Sequence, residues 1–497
     1  MCFLGIDLGS SSIKLSVLDA KTERCITSIT VPDFELEMKA PEHGWAEQDP
    51  DMWWQYVKEG IAKLKEEEGI AIQNIKGIGI AYQMHGLVLV DENLNPVRSS
   101  MIWCDSRAAE VGEETYKKMG PRKCQELILG SPGNFTASKL KWVKENQPDI
   151  FGKAKYLMLP GDYIAARLSN VPQTSTSGLS EAALWNFKEN RLATEVLEAM
   201  GIPVEMVPEV VNNFGKQAKI DSTIAKELGL AEDVYVTYRA GDQPNNALSL
   251  NALSPGEIAA TAGTSAVVYG VSETDDYDPN NRINTFLHVN NQANQKRNGV
   301  MVCINGSGIL YQWLRKILSE DKEQLLDYNI LNSLAADSEI EAKGLRFYPF
   351  GNGVERIFNN KPAFSGVEGL NFNRHQKEDL VRAACEGIVF ALNYGFEIMR
   401  NVGVHGKVVR AGKANLFLNP VFREIFVNTT NTTLELYNTS GSEGAARGAA
   451  FGYGYFSKLS DAFKGLECLE STKPDPELVK KYEEVYKDWK EGIRVKA

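Results

Sequence analysis

No run of apolar residues in this 497-residue chain is long enough to cross a membrane. The first apolar run, from Phe3, has no basic segment ahead of it and is interrupted early by Asp7, so no secretion signal is expected either. Cysteine is scarce and scattered: seven residues, an odd number, with no CxxC pair. That usage fits free thiols in a reducing compartment, hence a cytoplasmic protein. The five histidines lie too far apart in sequence to suggest a metal cluster. Positive charge is also in deficit. A net charge of −11 argues against a nucleic-acid surface, and no membrane partner is expected. GxxxxGK[ST], GxGxxG, HExxH and GxSxG are all missing, which removes the P-loop, the simplest dinucleotide site, the zincins and the serine hydrolases.

What is there alternates strands and helices. Residues 3–8 and 13–18 read as a hairpin closed by Gly9-Ser10-Ser11-Ser12. Met52, Trp53, Tyr56, Val57, Ile61 and Leu64 are spaced as one face of a helix. "IKGIGIAYQM" reads as a buried strand, and 380–402 as a long apolar helix stopped at Gly403. The tail from about 473 to 497 reads as a charged helix with Leu478, Tyr482, Val485 and Trp489 as its apolar stripe. It is expected to pack on its own domain, with a homodimer contact as the alternative. The mixture implies α/β layers.

The opening pattern returns once. "EIAATAGTSAVVYGVS" at 257–272 repeats an apolar run, a turn of glycine and hydroxyl residues, and a second apolar run. Gly9 and Gly263 are 254 residues apart, about half the chain. A duplicated α/β unit with a cleft between the copies is therefore expected. Such turns suit phosphates, because backbone N–H groups and serine hydroxyls converge on one point. Asp7 at the strand end would be repelled by phosphate, but it can hold Mg²⁺ through the ion's waters. A turn-capping role for Asp7 is the plainer alternative.

Nine stretches match one family in order: "GIDLGSSSIK", "GWAEQDPDMWW", "QMHGLVLVD", "IWCDSR", "FTASKLKWV", "LPGDYI", "AGDQPNNA", "AGTSAVVYG" and "GSEGAARGAAFGYG". With them the chain resembles the FGGY carbohydrate kinases, and its xylulokinase branch most. The resemblance implies two duplicated actin/hexokinase-like (ribonuclease H-like) domains around a central cleft: 1–248, which binds the sugar, and 249–497, which binds ATP. The implied reaction is ATP-dependent phosphorylation of a sugar hydroxyl, D-xylulose to D-xylulose 5-phosphate first. Ribulose, gluconate or glycerol stay open as acceptors.

The resemblance also implies residue roles. Asp242 of the family's "GDN/GDQ" motif is the general base that takes the hydroxyl proton, with a helix N-cap as the alternative role. Asp7 is the second catalytic carboxylate and the water-mediated magnesium holder. Met84 and His85 line the sugar, with Gln83, Trp103 and Asp105 as further contacts. Core packing is nearly as good a reading of Trp103. Ser10, Ser11, Ser12 and Lys14 approach the ATP phosphates from one side, and Gly263, Thr264 and Ser265 from the other, with Gly412 and Asn415 nearer the adenosine. Strand alternation points Lys14 to solvent as its other reading. One stretch departs from the family: "VVRAGKANLFLNP" at 408–420 has Arg410 and Ala411 where two glycines are usual, and only Gly412 remains. This places side chains where bare backbone is expected, and it keeps open a sugar-binding protein with weak turnover.

Overall fold

The computed structural model describes residues 1–321 and 324–495. The chain forms two compact units, one of Met1–Asn251, Phe286–Asn298 and Thr439–Leu466, the other of Ala252–Thr285, Gly299–Asn438 and Glu467–Ala497.

The first unit is built on six strands: β1 (Cys2–Leu8), β2 (Ile13–Asp19), β3 (Arg24–Val31), β4 (Ile75–Tyr82), β5 (Phe214–Lys219) and β6 (Tyr235–Gly241). Their order is β5–β6–β4–β1–β2–β3. The hairpin β1–β2 is antiparallel, whereas β1, β4 and β6 are mutually parallel. The apolar residues of the inner strands β1, β2 and β4 are buried on both faces, as expected of strands covered by helices on each side, whereas Ile26 on the edge strand β3 is half exposed. On one face lies α1 (Pro50–Glu66), capped by the Asp49 carboxylate and burying Trp53, Trp54, Val57, Ile61 and Leu64.

Later helices of this unit are α2 (Thr136–Asn146), α3 (Pro160–Ser169) and α4 (Asp242–Ser249). In the second unit come β7 (Ile258–Ala262), β8 (Ala266–Ser272), β9 (Asn298–Ile304), α5 (Gly308–Leu318), α6 (Tyr328–Ala336), α7 (Lys377–Asn401), β10 (Val408–Gly412), α8 (Pro420–Thr430) and β11 (Thr433–Tyr437). Gly403, at a φ of 85°, follows α7 as its stop. Six of the seven strands in this sheet run β9–β8–β7–β10–β11–β12, where β12 is Cys468–Thr472. β7 and β8 are antiparallel, and β7, β10 and β11 are parallel. The order of the first sheet is thus repeated, which is the duplicated actin/hexokinase-like unit. The outermost strand differs in its place along the chain: β5 precedes β6, but β12 follows β11.

Two helices complete the picture. The tail forms α10 (Pro476–Glu491), whose Tyr482, Val485, Tyr486 and Trp489 are buried in the core of the second unit. The reading of the tail ran to 497, and residues 496 and 497 lie outside the described residues. The helix α9 (Gly441–Tyr453) belongs to the first unit by packing, lying on β1, β2, β4 and β6. A division at 248/249 follows chain order but not this packing. The reason is legible in its small residues. A side chain at Gly5 of β1 would come within 1.8 Å of the Ser442 carbonyl oxygen, and one at Gly79 of β4 within 2.1 Å of the Ala445 oxygen. Glycine costs helix and strand alike, and here it permits a helix backbone to lie directly on a sheet.

Candidate functional site

Because β1, β4 and β6 are parallel, their carboxyl ends share one edge of the first sheet, the edge where open α/β sheets bind ligands. Asp7 lies one residue before the end of β1, Gln83-Met84-His85 follow β4, and Asp242 follows β6. Asp242 lies in the first turn of α4, and Gly241 takes the N-cap position, so the carboxylate is not a cap. A Cβ at Gly241 would meet Met84 Cγ at 2.6 Å and Glu181 Oε2 at 2.8 Å. Burial, reinforced by the charge of Asp7, pushes the Asp242 carboxyl up to about 7, against hydrogen bonds from Gln243. Burial also raises Asp7, opposed by Lys14, which stands directly across the hairpin from it. The Asp7 carboxylate occupies space that any side chain at Gly441 would take, since a Cβ there would be 2.2 Å from Oδ2. Asn245, three residues after Asp242, donates its amide to the Gly441 carbonyl at 2.8 Å.

The turn 9–12 is tied to the same edge. Gly9 N–H donates to Ser12 O at 3.1 Å, and Ser11 O accepts from Leu36 N–H at 2.9 Å. Gln48 donates to Ser10 O at 2.7 Å and accepts from both Gln83 and Trp53 at 3.2 Å. Gln83 is buried and serves this network. Trp103 donates from Nε1 to Ser10 Oγ at 3.3 Å, and the residue is 52% exposed, so it is no core residue.

His85 adopts a left-handed backbone at a φ of 61°. Its Nδ1 lies 2.9 Å from the Glu181 carbonyl oxygen, which can only accept, so Nδ1 carries the proton. Its ring lies 4.5 Å from that of Phe135 and 5.4 Å from that of Phe286.

Asp105 is turned elsewhere. It is fully buried, accepting from Ala46 N–H at 2.8 Å and from Arg107 Nε at 2.9 Å. Arg107 in turn stacks 3.5 Å over the Trp45 ring. With its oxygens engaged this way, Asp105 holds its loop and does not present a carboxylate to a sugar.

The second unit carries a cavity of about 380 Å³ at the corresponding edge, lined by Gly263, Thr264, Gly308, Tyr311, Gln312, Tyr328, Asn332 and Asn415 among others. The turn at 263–265 is pinned to the start of α5: Gly308 N–H donates to Gly263 O at 3.0 Å and Ile309 N–H to Thr264 O at 3.1 Å. Gly308 is forced, since a Cβ would lie 2.2 Å from that Gly263 oxygen. Ser265 and Gly412 flank the cavity without lining it. Gly412 ends β10 and its carbonyl accepts Ala414 N–H at 2.8 Å, turning the chain so that Asn415 reaches the lining. Arg410 is not among the lining residues. Its guanidinium pairs with Glu257 at 3.1 Å and Glu435 at 3.6 Å, and Ala411 is buried.

Residues 2–249 match the N-terminal domain of the FGGY family of carbohydrate kinases, and residues 258–453 match its C-terminal domain. The chain belongs to this family. An FGGY kinase is a phosphotransferase acting on a carbohydrate, and kinases of this family use ATP. This one is similar to a xylulose kinase of Staphylococcus epidermidis, at 29% identity over 97% of this chain and 95% of the relative. Its fold is that of a ligand-bound xylulose kinase from Lactobacillus acidophilus, with a TM-score of 0.89 at 21% identity over 99% and 97% of the two chains. It is also that of a gluconate kinase from the same species, with a TM-score of 0.87 at 21% identity over 99% and 97%.

For an FGGY kinase the sequence was informative about strand ends and turns and silent about helices that fold back onto them. Motif and spacing alone do not single out Glu181, Phe135, Phe286, Lys139, Tyr311, Gln312, Tyr328 and Asn332. Lys139 sits inside a stretch that carried the resemblance, and a lysine between apolar residues of a buried helix is a detectable signal. The "NGSGIL" at 305–310, small residues between a strand and a helix, is another.

Proposed function

We propose that this FGGY kinase phosphorylates D-xylulose to D-xylulose 5-phosphate, with Asp242 as general base. The observation that carries this reading is the packing of Met84 against Gly241, which puts the Met84-His85 pair beside Asp242 at one strand edge. Met84 gives an apolar wall, and His85, with its proton on Nδ1, gives Nε2 as an acceptor for a sugar hydroxyl. The name of the Staphylococcus epidermidis relative, a xylulose kinase, and the "QMHG" stretch support the same ketose.

The chemistry follows from the residues. The sugar hydroxyl attacks the γ-phosphorus of ATP, the bond to the β–γ bridging oxygen breaks, and ADP leaves. The hydroxyl proton passes to Asp242, whose carboxyl, near 7, is poised to take it at neutral pH. Gly263, Thr264 and Asn415 of the second unit hold the nucleotide in the 380 Å³ cavity. Ser10, Ser11, Ser12 and Lys14 contribute donors to phosphate. Asp7 fits a hydrated Mg²⁺: it is one hard carboxylate beside a residue without a side chain, and such ions take one or two carboxylates and keep several waters. That ion, when bound, supplies neutralisation of phosphate charge. The use of ATP and the seven scattered cysteines support a cytoplasmic setting.

The test is ADP release over a panel of D-xylulose, D-ribulose, glycerol and gluconate. Highest kcat/KM on D-xylulose is expected, and turnover only on glycerol or gluconate removes the xylulose assignment.

A further inference from the structure

Lys139 lies on α2 with its side chain wholly buried. Its ammonium donates to two backbone carbonyls, His85 O and Ile102 O, each at 2.8 Å. These two oxygens belong to different segments. One is that of His85 itself. The other immediately precedes Trp103. Burial pushes the ammonium down to about 7, against the nearby carboxylate of Asp105, so keeping it there has a cost. Asp105 is committed to Arg107 and Ala46, which leaves the two carbonyls as the bonds that hold the lysine.

The His85 backbone needs such a hold. A left-handed conformation is unfavourable for a residue with a side chain and persists only where its surroundings over-determine it. Here the Glu181 carbonyl fixes the ring nitrogen, Phe135 and Phe286 flank the ring, and Lys139 fixes the carbonyl. The same ammonium carries that constraint across to Trp103, which is half exposed and donates to Ser10 Oγ.

We infer that Lys139 is a positioning residue for the sugar: one ammonium sets the spacing between His85 and the Trp103 segment, so that both meet the substrate together. This inference rests on the reading of Met84, His85 and Trp103 as the sugar contacts. Lys139 touches neither substrate nor the reacting atoms, so its effect belongs in sugar binding and not in the chemical step.

The test compares wild type with Lys139→Met and Lys139→Arg on D-xylulose. Loss of the shared bonds is expected to raise the sugar KM about tenfold or more, with kcat and the ATP KM within about threefold of wild type. Lys139→Arg keeps a buried cation but replaces the compact ammonium between the two carbonyls with a larger planar group, and is expected to show the same split. A folded variant whose sugar KM is unchanged, or in which kcat falls and both KM values rise together, overturns the inference. A measurement on the unmodified enzyme covers the case in which neither variant folds. Hydrogen exchange in segments 83–87 and 101–105 is expected to slow in parallel when D-xylulose is added, and independent responses of the two segments overturn the clamp. Wild type without turnover on any sugar of the panel removes the functional reading and this inference with it. Active wild type with an indifferent Lys139→Met removes the inference alone.

Discussion

Asp7, one residue before the end of β1, and Asp242, one residue after β6, lie at the carboxyl ends of two parallel strands that flank β4 in the first sheet, and the charge of Asp7 raises the proton affinity of Asp242. The two are also joined mechanically. Gly441 makes room for the Asp7 carboxylate, and its carbonyl takes the amide of Asn245 on the helix that Asp242 begins. As the proposed base, Asp242 sits between two needs. It must be ionised to accept a proton, and basic enough for the transfer to be favourable.

The pH profile should show this directly. With the Asp242 carboxyl near 7, kcat/KM is expected to rise with pH through that value and level off above it. Asp7→Asn removes the like charge. It is expected to lower kcat and to move the acid limb of the remaining activity to lower pH. Rates measured from pH 5 to 9 on both proteins check the direction.

The same carboxyl bears on stability. Its native value lies above the ~3.9 of an unfolded aspartate, so folding favours the protonated form. The stabilisation is complete below the unfolded value and is lost as pH rises through about 7. Asp242→Asn is therefore expected to have a higher Tm than wild type at pH 8, with the gap closing towards pH 4. Calorimetric scans at several pH values decide it.

Trp103 and Asp105, two residues apart, should behave as opposites. Asp105→Ala leaves the Ala46 N–H without its acceptor and the buried Arg107 guanidinium with Glu47 as its remaining carboxylate, a loss of about 1–3 kcal/mol. Trp103→Ala removes a half-exposed ring and should change stability by no more than about 0.5 kcal/mol. Its effect belongs in the sugar KM. Denaturant melts and sugar titrations of the two variants separate the roles.

Arg410 is expected to be neutral towards the nucleotide. Arg410→Gly restores the usual glycine, breaks partly exposed ion pairs worth about 0.2–1 kcal/mol, and leaves the ATP KM within about twofold. Gly308→Ala pushes on the Gly263 carbonyl and is expected to raise the ATP KM strongly while leaving sugar affinity unchanged. ATP and sugar titrations of both variants check this.

Much of this architecture is readable from one chain. The hairpins at 3–18 and 257–272 and the helices over 50–66 and 377–401 announce themselves by local spacing and turn chemistry. What spacing cannot show is which distant surface a small-residue helix will meet. The small residues at 441–454 are evident in the sequence, but those that meet Gly5 and Gly79, Ser442 and Ala445 among them, find their partners hundreds of residues earlier. Nor does sequence tell which way a carboxylate faces. Asp105 in "IWCDSR" reads as a sugar ligand, and the fold saturates it with Arg107 and Ala46. Trp103 reads nearly as well as core, and it lies half in solvent. The cavity of the second unit draws Tyr311, Gln312, Tyr328 and Asn332 from two helices with no shared motif, so only tertiary packing assembles it.

The most direct test of Asp242 as the base is D-xylulose binding by calorimetry and ADP formation at saturating substrates, both on Asp242→Asn. Sugar affinity within about threefold of wild type, with turnover reduced by about 10²–10⁴-fold, is the expected pair of results. Undiminished turnover by that variant contradicts the assignment outright.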